Sequence, residues 1–217
     1  MSESGQHNVI LAVDTALGAC SVAVLDGEMI LAHQWVEMAR GHAEALAPMV
    51  QDMMAQAGIG FSALDRLAVT TGPGTFTGQR VGLAFMRGLR VALKKPLSGI
   101  TTLEAMAAAT QSLRAAAIHD AKREEAYLLL WENGATMLAL MVLPFAAAVE
   151  KIRDFGPCAL AGTGALAAAA SLGVGFPPSA IRQPDAVWVA RLALQRAVTD
   201  SAPAPLYLRA PDAKLPA

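Results

Sequence analysis

Three short apolar runs open the chain in succession, VILAV (9 to 13), CSVAVL (20 to 25) and EMILAHQW (28 to 35). Each is rich in aliphatic and β-branched residues. DTALGA separates the first two, and Asp26-Gly27 marks a tight turn before the third. This spacing predicts three paired strands joined by hairpins.

The period then changes. Leu46, Met49, Val50, Met53 and Ala57 recur at helical spacing over residues 44 to 57, and Gly58 stops the pattern. Pro48 removes one backbone donor, which predicts a kink or a late helix start. LAVT (67 to 70) reads as a buried strand and residues 77 to 94 as a helix. In that helix Ala84, Gly88 and Ala92 make a smooth stripe that lets another helix approach closely. PLSGI reads as a strand, and Thr101 with Glu104 has capping-box spacing ahead of LEAMAAAT. The first half therefore runs β-β-β-α-β-α-β-α.

The second half opens with two strands either side of the charged turn in AAAIHDAKREEAYLLLW, then TMLALMVL as a third. The helix FAAAVEKIRDF, the strand CALAG, a Gly-Thr-Gly turn and the helix ALAAAASL follow. A last helix over 185 to 198 turns Val187, Ala190, Leu194 and Ala197 inward, and the tail APAPLYLRAP is extended. A chain of 217 residues is long enough for a sizeable core, and two lobes are expected, 1–112 and 113–217.

Composition excludes several classes. The formal net charge is -1 and 16% of residues are charged, so no long-range field draws in nucleic acid or an anionic membrane. Any RNA contact is local or shared with a partner. The uncharged stretch from 155 to 181 is broken by Gly and Pro, which a membrane helix would not tolerate together. MSESGQHN has neither the basic nor the apolar region of a secretory signal, and a cytoplasmic location is expected. Cys20 and Cys158 lie far apart with no CxxC spacing, as two buried core cysteines would.

The stretch TTGPGTFTGQR (70 to 80) is the densest candidate for chemistry, with three glycines and four threonines. It has no lysine, as a P-loop requires, and Thr77 stands where the dinucleotide fingerprint needs its third glycine. Glycine still allows close backbone approach, and threonine hydroxyls beside free amides at a helix N-terminus suit an anion. The same residues equally serve turn and capping chemistry.

Asp14, followed by Thr15 and Gly18, either holds a hydrated magnesium ion beside phosphate or makes a turn within the hairpin. The ligand-facing candidates are thus Asp14, Thr15, Gly72, Gly74, Thr75 and Thr77. His42 has no second histidine three or four residues on, so a polar or capping role is favoured over a metal. Arg80, Arg87 and Lys94 share a helix face, either solvated or set against a partner's acidic residues or an RNA phosphate. Asp120, Lys122, Arg123, Glu124 and Glu125 crowd one turn, where an exposed hairpin end is the simpler account than acid/base work.

The segments ILAVDTALGACSVAVL, GHAEALAPMVQDMM, TTGPGTFTGQRVGLAFMRGL, GITTLEAMA, HDAKREEAYL, LAGTGA and PLYLRAPDAKLP resemble, in order, those of the TsaB (YeaZ) family. Two positions depart from that pattern, Thr75 where serine is common and Gln79 where a small aliphatic residue is common. The resemblance implies an α/β, actin-like, sugar-kinase-type (ASKHA) fold of two lobes, the second reduced.

It also implies a noncatalytic subunit for threonylcarbamoyl transfer to a tRNA adenosine beside the anticodon. Such a subunit pairs with TsaD and TsaE, forms a homodimer when alone, and meets tRNA through the complex. ATP and a metal ion belong to the partner subunits. The metal-binding HxxxH pair of TsaD-like proteins is not found here, since His7, His33, His42 and His119 stand apart. By the same resemblance the helices beginning near His42 and Thr77 form the dimerisation face, with His42, Leu46, Met49, Met53, Arg80, Ala84, Gly88 and Ala92 as candidates. A small-molecule kinase or ATPase on this fold, or a homodimeric scaffold, is the alternative.

Overall fold

The computed structural model describes residues 8–208. MSESGQH, with His7, and the end of the tail from 209 onward lie outside the described residues. The opening runs form β1 (Val9–Asp14), β2 (Ala19–Asp26) and β3 (Met29–Glu37), an antiparallel meander. Next come α1 (His42–Gln56), β4 (Arg66–Gly72), α2 (Phe76–Leu93), β5 (Leu97–Thr101) and α3 (Thr102–Ala109). β4 and β5 add in parallel, giving the sheet order β3-β2-β1-β4-β5.

The second half repeats the scheme in smaller form. β6 (Arg114–Asp120), β7 (Glu125–Glu132) and β8 (Ala135–Pro144) form a second meander. They are followed by α4 (Phe145–Phe155), β9 (Ala159–Ala161), α5 (Ala165–Leu172) and α6 (Ala186–Leu194). The sheet order is β8-β7-β6-β9, with β9 parallel to β6.

The inner strands β1, β2, β4, β6 and β7 are buried with little alternation because both of their faces are covered, whereas the edge strands β3 and β8 are largely exposed. One face of the first sheet, through Leu11, Val13, Val22 and Val24, packs on Leu46, Met49 and Met53 of α1 and Leu83 and Met86 of α2. Its other face, through Ile10, Ala12, Ala23 and Leu25, is covered by α6. α3 packs beside α6 and lies on β6 and β7 of the second sheet, where Ala115, Ala117, Leu129 and Trp131 belong to the same core. The far face of that sheet is covered by Ala148, Val149 and Ile152 of α4 and by Ala165 and Ala168 of α5. The molecule is five layers deep, and α3 and α6 are the layer common to both sheets.

Local chemistry sets the boundaries. Thr101 caps α3 in a complete box, its hydroxyl accepting from the Glu104 amide at 3.2 Å while a Glu104 carboxylate oxygen accepts from the Thr101 amide at 3.0 Å. α1 starts at His42 and runs through Pro48, so it does not start late. Pro48 is the seventh residue of the helix and exposed, so α1 continues past the one rung that its missing amide cannot form.

α6 ends at Leu194, four residues before the sequence pattern does, and Ala197 is exposed instead of turned inward. Its packing partners end there. Beyond it Arg196 reaches back, donating to the Gly99 carbonyl at 3.1 Å and to Glu104 at 2.6 Å. Residues 202–207 have neither helix nor strand. Cys20 and Cys158 are buried and free, and burial raises both thiols to about 11. Among the described residues no helix is long and apolar enough to cross a membrane.

Candidate functional site

The β1–β2 turn and the loop from β4 into α2 meet edge to edge, and the contact is polar and buried. Thr15 lies in the first of these, and its hydroxyl enters the first turn of α2. It donates to the Gly78 carbonyl at 2.7 Å and accepts from the Gly82 amide at 3.0 Å. Those two groups form an i, i+4 pair, so one hydroxyl bridges a rung of the helix ladder.

Only glycine leaves room for this. A Cβ on Gly82 would lie 2.7 Å from the Thr15 hydroxyl oxygen, and one on Gly78 would overlap the Thr15 carbonyl. A Cβ on Gly74 would likewise run into the Ala16 carbonyl, which accepts from the Thr75 amide at 2.8 Å.

Thr75 and Gln79 add further bonds within the loop. Thr75 is the N-cap, its hydroxyl accepting from the Gly78 amide at 3.0 Å, and its carbonyl accepts from the Gln79 amide at 3.1 Å. Gln79, the residue that departs from the family pattern, is buried and staples the loop. Its Nε2 donates to the Gly74 carbonyl at 2.9 Å, and its side chain fills the space beside Gly72.

Asp14 is fully buried at the end of β1. Its Oδ1 accepts from the Thr70 hydroxyl at 2.5 Å and the Ala16 amide at 3.2 Å, while its Oδ2 has no partner among the described residues. Burial raises its pKa to about 7 against the pull of those two bonds, with Asp185 adding to the rise.

The six ligand-facing candidates therefore separate. Gly74 and Thr75 line a cleft of about 410 Å³ between the lobes, together with Gly18, His119, Asp120, Thr163 and Gln183. Asp14, Thr15 and Gly72 are buried behind that wall, and Thr77 is exposed.

On the second lobe His119 is buried, its Nδ1 without a partner among the described residues, and burial lowers its pKa to about 4. Asp120 is held below the usual carboxylate range by the Lys122 amide at 2.8 Å and by the Lys122 ammonium at 3.2 Å. Its own amide donates to Thr163 of the Gly-Thr-Gly turn at 2.9 Å. Among the described residues no three His, Cys, Asp or Glu side chains converge as a metal site requires.

The interface candidates separate as well. Leu46, Met49 and Met53 are turned into the chain's own core, so their side chains secure α1 from behind. His42 is half-buried at the start of α1. Ala84, Gly88 and Ala92 are exposed along α2, Val91 beside them is 73% exposed, and nothing lies within 4 Å of a Cβ built on Gly88. Among the described residues nothing covers the smooth stripe.

Arg80 and Arg87 are not simply solvated, and among the described residues no carboxylate pairs with them. Together with Arg90, they hold the chain's last described segment. Sequence reading missed two features. One is the Thr15 insertion, whose only trace is the Gly78-x-x-x-Gly82 spacing; the other is the cover of the arginine edge.

A protein-family model described as "TsaD: tRNA N6-adenosine threonylcarbamoyltransferase" matches residues 36–214. The "tRNA threonylcarbamoyladenosine biosynthesis protein TsaB" of Escherichia coli is 40% identical over 98 residues, 45% of this chain and 42% of that protein. The match thus spans under half the length of that relative. The solved YeaZ of Pseudomonas aeruginosa superimposes with a TM-score of 0.78 at 29% identity, covering 92% of this chain and 99% of that one. Component A of the (R)-2-hydroxyglutaryl-CoA dehydratase of Acidaminococcus fermentans, at 11% identity and a TM-score of 0.52, shares the fold alone. The fold is the actin-like, sugar-kinase type.

Two substitutions test this junction. Thr15→Val leaves the Gly78 carbonyl and Gly82 amide unbridged and is expected to cost about 2–4 kcal/mol in urea unfolding, whereas Thr15→Ser costs under about 1. Asp14 keeps its proton in the folded chain up to about pH 7, while the unfolded chain releases it near 3.8. Its contribution to stability is therefore full at low pH and is lost as pH rises through 7. His119 works in the opposite sense, its contribution falling as pH drops from about 6.5 to about 4. The difference between the wild type and Asp14→Asn isolates the first effect. It should shift by about 2 kcal/mol in favour of the variant between pH 5 and pH 8, read from denaturation midpoints.

Proposed function

Because this chain belongs to the TsaB/YeaZ family, we propose that it is the noncatalytic, activating subunit of a complex that transfers threonylcarbamoyl to N6 of a tRNA adenosine beside the anticodon. A TsaD-type protein is its catalytic partner and a TsaE-type ATPase the third component. ATP and the metal ion are held by those partners, tRNA is reached through the complex, and the site of action is the cytoplasm. Alone, the chain pairs with a second copy through the same helix face.

The observation that carries this reading is the uncovered stripe of Ala84, Gly88, Val91 and Ala92 on α2. Small side chains allow a second helix to approach closely, and the rear of both α1 and α2 is fixed by the core. The noncatalytic part of the reading draws support from the Gly/Thr loop, where the Thr75 cap bonds Gly78, the Gln79 staple bonds Gly74 and the buried Asp14 bonds Thr70, so each is engaged within the chain. The interlobe cleft favours the alternative of a small-molecule kinase or ATPase, which ATP turnover by the purified chain would reveal.

The test is tRNA threonylcarbamoylation with purified TsaD-type and TsaE-type proteins and the synthase that makes the adenylate, with and without this chain. Modification should require the chain, and the chain alone should transfer nothing; modification undiminished by its omission would overturn the reading. Gly88→Trp meets open space, so its melting temperature should match the wild type while calorimetry shows pairing with the TsaD-type subunit weakened about tenfold or more.

A further inference from the structure

The segment 200–208 lies along one edge of α2 and runs against the helix direction. At its near end the Asp200 carbonyl accepts from Arg90 Nη2 at 2.5 Å. Next, the Pro203 carbonyl accepts from both Nε and Nη2 of Arg87, at 3.0 and 2.5 Å. Further on, the Leu206 amide donates to the Thr71 carbonyl at 2.8 Å, and the Tyr207 hydroxyl accepts from Arg80 Nε at 2.9 Å. The Tyr207 ring stacks on Phe76 with centroids 6.1 Å apart, and the Arg80 guanidinium lies 3.6 Å above the Phe76 ring.

Every partner in this set is electrically neutral. Arg114, Arg153, Arg191 and Arg196 each pair with a glutamate. Among the described residues Arg80, Arg87 and Arg90 have two main-chain carbonyls, one phenol and aromatic faces. A guanidinium bond to an anionic oxygen gains a Coulomb attraction that a bond to a neutral oxygen lacks, and the two-nitrogen fork of Arg87 already closes on a single oxygen. Arg80, Arg87 and Lys94 are seven residues apart, about 10 Å per step along the helix, so the edge can meet several successive phosphates of one strand. At one end Phe76 is 55% exposed, a platform on which a base can stack once Tyr207 leaves. A cationic ladder that ends in an aromatic ring fits RNA better than it fits the carboxylates of a protein.

We propose that the α2 edge formed by Phe76, Arg80, Arg87 and Arg90 is an RNA-backbone site, and that the strap 200–208 occupies it in the free chain. The strap is a weak occupant, because the bonds that seat it run to main-chain carbonyls and a phenol oxygen. It lowers the apparent affinity by the fraction of time it is seated, and a phosphate strand displaces it. That the RNA is a tRNA rests on the functional reading above.

The experiment is fluorescence anisotropy of labelled, unmodified tRNA with three full-length proteins at two salt concentrations. These are the native chain, a strap-loosened variant (Leu206→Pro with Tyr207→Ala), and that variant carrying Arg80→Ala, Arg87→Ala and Arg90→Ala. The loosened chain should bind about tenfold tighter than the native one, with an affinity that falls with salt as about three phosphate contacts require, and removal of the arginines should abolish the gain.

No gain on loosening, or a gain that survives loss of the arginines, overturns the proposal. So does a loosened chain that gains affinity for the TsaD-type subunit and none for RNA. Should the loosened chain fail to fold, Arg87→Ala with Arg90→Ala in the otherwise native chain decides: binding at low salt must weaken, and unchanged binding refutes the site. The assay needs no partner and no modification. A chain required for threonylcarbamoylation but without this RNA binding sinks the proposal alone. Conversely, a dispensable chain whose loosened form still binds RNA through the arginines sinks the functional reading alone.

Discussion

The Thr15 hydroxyl inside the first turn of α2 is the contact on which the arrangement of the first lobe depends. It bridges one helix rung with two bonds from a neighbouring turn, so it ties the start of α2 to the end of β1. The glycines at 74, 78 and 82 follow from it, because each lies where a Cβ would occupy the space of Thr15 or Ala16. Once the start of the helix is fixed, its rotation is fixed too. Leu83 and Met86 are buried, Ala84, Gly88 and Val91 point outward, and the arginines face the strap.

The same junction explains an unfavourable burial. A carboxylate at position 14 loses its water and keeps only two donors, which leaves it near neutrality at about pH 7. His119, in the cleft wall of the second lobe, stays uncharged for the same reason, so each lobe buries one titratable group held toward its neutral form, Asp14 behind the wall and His119 in it. Charge among the residues that line the cleft is confined to the Asp120 turn.

The layering was open to sequence reading and its sharing between lobes was not. The strands and helices of both halves follow from period and turn chemistry. The Thr101–Glu104 box is present as its spacing requires. What no local pattern could supply is that α6, the last helix among the described residues, returns to cover the first sheet while α3 lies on the second. The premature end of α6 at Leu194 has the same origin, since its length is set by what it packs on.

Of the functional residues, the sequence picked out the Gly/Thr stretch and the small-residue stripe, because glycine, threonine and alanine at fixed spacing carry meaning without neighbours. It could not divide them. Gly74 and Thr75 face the cleft while Asp14, Thr15 and Gly72 do not. Leu46, Met49 and Met53 belong to the core, and Ala84, Gly88 and Ala92 to the surface. Nor could it show that the arginines are covered by a segment more than a hundred residues away in sequence. The sequence determined which residues carry donors, charge or small volume. Only the tertiary structure decided which of those groups turn toward one another and which are left facing outward, because burial and pairing depend on contacts between segments distant along the chain.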